Sequence, residues 1–404
     1  MGSEDCRTVP LFNLWSLEWN SLKLSEGIFY WNRAYWDAPI FYPTEGAFGM
    51  SESQPMLTVV APLVWLSGSS VFAYNVYLLV SLALNGCFAW KLLRNRQIGW
   101  IPALLTSGAV VLLPINHWQL GVLQLVPLWA ILWSWDSLLS SVDVSHVSSQ
   151  HSSIPESIWR HFKTEWLSGY VFKGAVWGFA TSCVFAMSVH HGLFHTILLS
   201  VGIGMVVVVG LSRERRIRWA TCFLVSGLVV QAVIVGPILL RHQHVGKQNH
   251  LHRDIETVES LSAKPSDFAK WYGWSLIRLP GVPASHFMMG LGAITSVVCV
   301  VGQFVGLYSR TSRYWASFLV CIGLLAFALS LGSHLRIGQY SVWSGLVACI
   351  PGLEQVRSVY RFGYFFQLAF VLTGACLLEH LLTQKLAIWR WLGLCVGLLS
   401  LVDP

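Results

Sequence analysis

The stretch Arg213-Glu-Arg-Arg-Ile-Arg-Trp-Ala-Thr-Cys-Phe-Leu-Val-Ser-Gly-Leu-Val-Val-Gln-Ala-Val-Ile-Val-Gly-Pro-Ile-Leu-Leu240 sets an arginine cluster at the head of a run that carries no charge. About 20 apolar residues cross a bilayer as a helix. Hydrocarbon offers no partner for free backbone N–H and C=O groups, so the run reads as a spanning helix and not as sheet. Positively charged connections stay on the cytoplasmic side, which places Arg213 to Arg218 inside and the residues from Arg241 onward outside.

The same pattern recurs along the chain. With 404 residues, only 11% charged and a mean hydropathy of +0.58, the composition excludes an ordinary soluble domain. The expected fold class is all-α: a polytopic integral membrane helical bundle of about ten transmembrane helices, with outer loops carrying short interfacial helices. Apolar runs fall at 71–92, 98–115, 120–139, 171–189, 193–211, 218–240, 286–308, 314–332, 364–382 and 388–403. Residues 1–56 form an extracytoplasmic interfacial loop. The transmembrane domain is 57–404, with large outer loops at 241–285 and 333–363 and a Ser- and His-containing cytoplasmic linker at 140–170, which includes a surface helix near Ile158 to Trp166.

The net charge of +7 does not imply nucleic acid, because the basic residues sit in short clusters between apolar runs. Assigning alternate connections to opposite sides gathers Lys91, Arg94, Arg96, Arg160, Lys163, Arg310, Arg313, Lys385 and Arg390 with the Arg213 cluster on the cytoplasmic face. The nine cysteines are scattered, without a Cys-x-x-Cys pair, and read as small buried hydrophobes. No internal repeat is visible. Gly2 to Arg7 is polar and no apolar core follows, so no signal peptide is expected.

Candidate chemistry lies on the outer connections. Asp5, Asp37 and Glu52 are the catalytic candidates, set among Trp15, Trp19, Trp31 and Trp36. A carboxylate beside aromatic rings suits a sugar-bearing lipid, since rings stack on sugar faces while the acid takes a proton or holds a cation. The alternative is an interfacial aromatic belt with solvated acids. Tyr35-Trp-Asp-Ala-Pro-Ile-Phe-Tyr-Pro43 reads as a stiff, shaped loop. Ser51 is positioned to cap the apolar segment that follows it, with Glu52 near the positive end of that segment.

His117, His190 and His191 stand at outer helix ends, with His195 a turn further down, as bases, phosphate ligands or satisfied helix-end groups. In Arg241-His-Gln-His-Val-Gly-Lys-Gln-Asn-His-Leu-His-Arg253, an extended segment would put His242 with His244, and His250 with His252, on one side. The flanking Arg and Lys favour a phosphate-attracting surface over a metal site, and Arg253 joins the substrate-binding candidates. Arg357 and Arg361, four apart, would project from one helix face as a phosphate clamp, or snorkel to lipid phosphates.

An ordered series of these residues resembles the C-type (GT-C fold) membrane glycosyltransferases, in a largely uncharacterised bacterial subgroup. It comprises Asn13-Leu-Trp-Ser-Leu-Glu-Trp-Asn20, Trp36-Asp-Ala-Pro-Ile-Phe-Tyr-Pro43 with Ser51-Glu52, Asn75, His117 to Gln124, Arg253 to Ala263, Leu329-Ser-Leu-Gly332, Pro351-Gly-Leu, Arg357 and Arg361-Phe362. The resemblance implies a catalytic acid from the first outer loop, a lipid-linked sugar donor arriving from the bilayer, and transfer on the outer face of a bacterial cell (inner) membrane. A transmembrane helix ahead of the acid is usual in such enzymes, and none precedes Asp5 in this sequence.

The expected activity is transfer of a sugar from a polyprenyl-phosphate-type donor, with membrane lipid as the other partner. Whether a divalent cation assists is open, and no metal ligands are assigned. A lipid-linked substrate carrier or flippase is the first alternative; it would want ionisable groups buried midway across the bilayer. A catalytically inactive membrane scaffold is the second.

Overall fold

The computed structural model describes residues 8–40, 43–143, 156–211, 214–249, 254–269, 287, 289–350 and 352–403. Asp5 and Arg253 lie outside the described residues, as do His250 and His252.

The N-terminal region read as an outer loop is more ordered than a loop. Helix α1 (Thr8–Ser25) is followed by the single turn α2 (Arg33–Trp36), 3-10 turns at Ala47–Met50 and Pro55–Val60, and the short α3 (Ala61–Ser67). One face of α1 buries Asn13, Ser16, Leu17, Asn20 and Ser21. That face is mostly polar, because it hydrogen-bonds the irregular segment around Ser53 and does not pack on apolar neighbours alone.

The bundle proper begins with α4 (Ser70–Asn95), which Ser69 caps through the Phe72 amide. It continues through α5 (Trp100–Val111), α6 (Pro114–Trp118), α7 (Trp129–Asp143), α8 (Glu156–Met187), α9 (Val189–Leu211) and α10 (Glu214–Gln248). The short α11 (Ile255–Ser260) leads to α12 (Ala293–Tyr308) and α13 (Arg313–Ser330). A two-stranded hairpin, β1 (Arg336–Ile337) with β2 (Tyr340–Ser341), precedes α14 (Val342–Cys349), α15 (Gly363–Leu382) and α16 (Ala387–Val402).

Among the described residues, six stretches are helical, long and apolar enough to cross a membrane: Ser70–Asn95, Trp100–Trp118, Gly169–Met187, Ala220–Gln248, Arg313–Ser330 and Val359–Leu382. Shorter apolar helices occupy Pro55–Ser67, Val189–Met205, Ala293–Tyr308 and Ala387–Val402. The apolar run at 120–139 is not one helix: Leu123–Leu125 is a 3-10 turn, and α7 starts only at Trp129. Pro127 accounts for the break, since it has no N–H and disfavours helix at Val126, and the Asn85 side chain fixes the break by accepting the Leu128 and Trp129 amides at the start of α7 and donating to Val126 O.

Two boundaries differ from the sequence reading. The linker's surface helix is the first part of α8, which starts at Glu156. The outer loop read as 241–285 begins later, because α10 runs on through Arg241 to Gln248. The Arg213–Leu240 reading itself is helical from Glu214 onward, through Pro237. From Arg218 to His242 this helix measures about 36 Å at about 1.5 Å per residue, a little more than the hydrocarbon layer.

Close packing fixes the helices. At Gly178 of α8 an added Cβ would lie 2.3 Å from the Gly227 carbonyl oxygen of α10, so the two backbones touch. Helix α15 is largely enclosed, with Phe365, Leu368, Ala369 and Leu372 fully buried. Exposed Leu79, Phe172, Val233, Leu324 and Trp391 give the outside of the bundle an apolar surface suited to lipid.

Candidate functional site

Only a single residue, Ser188, separates α8 from α9. Its hydroxyl accepts the His191 amide at 3.2 Å, so Ser188 is the N-cap of α9. The first helical amide, Val189 N–H, has no partner within the helix. Glu52 supplies it from a segment far away in sequence: Oε2 accepts Val189 N–H at 2.9 Å, Oε1 accepts the Ser188 hydroxyl at 2.9 Å, and Oε1 also accepts His190 Nδ1–H. The expectation that Ser51 and Glu52 serve the segment just after them is therefore corrected. No side chain caps that segment, and Glu52 instead caps a helix far away in sequence.

The support beneath Glu52 comes from α1. Asn20 donates to Ser53 O at 3.0 Å, the Tyr35 hydroxyl donates to Asn20 Oδ1 at 2.7 Å, and Gln54 donates to Asn13 Oδ1 at 2.8 Å. Gln54 holds φ 47°, a left-handed conformation that is unfavourable for a non-glycine residue and more so before a proline. The three hydrogen bonds hold that strained turn in place and aim Glu52 at α9.

Glu52 is 6% exposed. Burial alone would raise its pKa; the charge and hydrogen bond of His190 and the bonds from Val189 N–H and Ser188 outweigh it and hold the carboxyl down at about 2. An ionised carboxylate can only accept, so His190 carries a proton on Nδ1. In the neutral form of the ring, Nε2 is the nitrogen with the free lone pair. The His190 side chain is 30% exposed, so that lone pair belongs to the ring that reaches the surface.

Around this pair stand further polar groups. His242, at the end of α10, meets the Trp36 indole edge-to-face at 5.8 Å and interacts electrostatically with Glu52 and His190. The Arg361 guanidinium also feels the Glu52 carboxylate and bears on the His191 ring. Phe194 stacks on Phe362 at 4.0 Å, locking the start of α9 against the turn that carries Arg361.

The structure therefore gathers Glu52, His190, His191 and Arg361 from the sequence-derived candidates. Others fall elsewhere. Asp37 is exposed and closes its own loop, accepting Gly46 N–H at 2.8 Å with Arg33 3.8 Å away. Trp36 is 2% exposed and donates Nε1–H to Tyr30 O, so it is a core ring and not an open platform for a sugar. His117 bonds Val111 O at 3.2 Å, the satisfied helix-end alternative.

The arginine clamp is corrected too. Arg357 precedes the 3-10 turn Val359–Phe362 and is exposed, whereas Arg361 lies in that turn, half-buried; the two do not share a helix face. Likewise His242 and His244 sit on α10 and not on an extended segment, which turns His242 inward and leaves His244 exposed. Among the described residues, no three His, Cys, Asp or Glu side chains are grouped to hold a metal ion.

Sequence reasoning missed Ser188, and it placed His242 in a surface cluster. A serine immediately before Val-His-His at the head of an apolar run was the legible capping signal. Comparison of the sequence with models of known families and with curated proteins found no match.

Proposed function

We propose that this chain is a membrane glycosyltransferase that moves a sugar from a polyprenyl-phosphate-type donor to an acceptor hydroxyl on the outer face of a bacterial cell membrane. The shorter apolar helices complete a bundle of about ten membrane-embedded segments around the six long ones. The observation that carries the reading is the Glu52–His190 pair at the N-terminus of α9, with Arg361 within electrostatic range. The sugar and the lipid phosphate rest on the motif series; the proton transfer rests on this pair.

The roles differ from a simple carboxylate base. Glu52, engaged by three donors, is too weakly basic to take a proton near neutral pH, so it orients His190 and stabilises the imidazolium that forms. His190 Nε2 takes the acceptor hydroxyl proton as that oxygen bonds to the sugar's anomeric carbon. The bond from that carbon to the phosphate oxygen breaks, its electron pair leaves with the phosphate, and the Arg361 charge offsets the developing negative charge.

The test is to incubate membranes containing the full chain with a panel of labelled polyprenyl-phosphate sugars and to follow both transferred sugar and released polyprenyl phosphate. Wild-type turnover, reduced about a hundredfold or more by Glu52→Ala and by His190→Ala but retained in Asp37→Ala, is expected. No turnover with any donor, or full activity in both site variants, would remove the proposal.

A further inference from the structure

Where the chain leaves α12 and enters α13, at the end of the bundle that the positive-inside rule assigns to the cytoplasm, the surface is not closed. Leu138 of α7, Gly202 and Met205 of α9, and Tyr314, Trp315 and Phe318 of α13 line a recess with about 310 Å³ of empty space, part of it open to the outside. The three helices come together at Gly202, where an added Cβ would lie 2.4 Å from Leu138 Cδ2 and 2.7 Å from Phe318 Cε2. The walls are apolar apart from the Tyr314 hydroxyl and the Trp315 indole N–H. Trp315 Nε1 is buried with no hydrogen-bond partner, so this wall carries an unused donor.

The rim is cationic. Tyr308-Ser-Arg-Thr-Ser-Arg-Tyr314 joins α12 to α13, and Tyr308, Arg310, Arg313 and Tyr314 are all exposed. Hydrogen bonds shape the turn: the Ser312 hydroxyl donates to Gly306 O at 3.0 Å, the Arg313 amide to Ser309 O at 3.0 Å, and Arg313 Nε to Leu307 O at 3.1 Å. The last of these fixes the guanidinium over the turn. Among the described residues, no carboxylate forms an ion pair with Arg310 or Arg313. No side chain caps α13, so the positive end of its dipole adds to the two arginine charges. Arg313 and Phe318 are five residues apart, about 7.5 Å along the helix at about 1.5 Å per residue, so charge and apolar wall lie at successive depths.

We infer that this recess seats an anionic phospholipid of the cytoplasmic leaflet, its headgroup phosphate on Arg310, Arg313 and the start of α13, and one acyl chain against Met205, Tyr314 and Phe318. Charge complementarity selects the occupant. A zwitterionic lipid offers the same chains but no net charge for the two arginines, and a soluble anion has nothing to place against the apolar walls. The tyrosines at both ends of the turn suit the same depth, since their rings favour the headgroup level. The site lies at the opposite end of α9 from the Glu52–His190 pair and does not need the transfer reading to be correct.

The experiment titrates the purified full chain, in a neutral detergent, with dioleoyl phosphatidylglycerol and separately with dioleoyl phosphatidylcholine. Native mass spectrometry reads the bound lipid, and thermal melting reads the stabilisation. Saturable binding of the phosphatidylglycerol is expected, about tenfold or more tighter than that of the phosphatidylcholine, with a matching rise in melting midpoint. Arg310→Gln combined with Arg313→Gln should weaken it about tenfold or more. Lys385→Gln combined with Arg390→Gln removes the same charge from exposed positions before and within the first turn of α16, and should leave binding unchanged. Met205→Trp fills the recess, keeps both arginines and should also weaken binding; the exposed arginine variants cover the case in which it fails to assemble. Equal binding of the two lipids, or equal losses in the two charge-removal variants, means a general attraction of anionic lipid to a basic face and overturns the inference. Undiminished binding in a folded Met205→Trp variant overturns it as well. Sugar transfer enters neither measurement, so its absence would count against the proposed reaction and not against the lipid site.

Discussion

Glu52 and Val189 are 137 residues apart in the chain, yet the Glu52 carboxylate accepts the Val189 amide at 2.9 Å. That bond joins the segment after α1 to the first turn of α9. It makes the geometry of His190 depend on a residue from a different part of the sequence.

The pH response of this junction follows from its charge. The Glu52 carboxyl is held at about 2 against an ordinary value of 4.5, so the folded state favours the ionised form. The resulting stabilisation, roughly 3 kcal/mol, is fully present above the ordinary carboxylate range and is lost as pH falls from there through about 2. Unfolding midpoints measured across that window should fall steeply for wild type. In Glu52→Gln the fall should be shallower, and equal slopes would contradict the assigned contacts.

Tyr35→Phe should loosen the support under Glu52. The lost hydroxyl leaves the fully buried Asn20 carbonyl oxygen without its 2.7 Å donor, at about 1–3 kcal/mol. Thermal melting in detergent reads the stability. If the strained turn at Gln54 relaxes as well, transfer activity should drop more than the melting shift alone accounts for.

Gly178→Ala should separate α8 from α10. The new methyl would lie 2.3 Å from the Gly227 carbonyl oxygen, a contact only backbone movement can relieve. A loss of about 2 kcal/mol or more is expected from overpacking. Gly204→Ala, where an added Cβ meets nothing within 4 Å, is the matched control and should melt like wild type.

The two ends of α10 should lie on opposite sides of the membrane. A cysteine placed at Arg216 should react with an impermeant thiol reagent only in inverted vesicles or opened cells. One at Glu45, which is exposed and next to Gly46 against Val245 near the far end of α10, should react in intact spheroplasts. Labelling of both from one side would refute the orientation and the outer-face chemistry with it.

Much of the architecture could be read from local composition. Lipid as solvent forces an apolar run of sufficient length into a helix, so Ser70–Asn95, Ala220–Gln248 and Arg313–Ser330 were legible as spans without knowledge of their neighbours. The reading failed at 120–139, where hydropathy alone hid the break that Pro127 introduces and that Asn85 fixes by accepting the first amides of α7. Periodicity also misassigned Arg357 and Arg361, because a 3-10 turn replaces the expected α-helix between them.

The candidate site divides along the same line. The chain itself determines that most acids, histidines and arginines collect in the connections between apolar runs, since charge is costly in hydrocarbon. Which of those groups meet is a matter of tertiary packing: Glu52 reaches His190 and the start of α9, while Asp37 closes only its own loop. An unpaired helix amide attracts whichever carboxylate the fold delivers to it, and that delivery depends on α1, the turn at Gln54 and the Ser188 junction acting together.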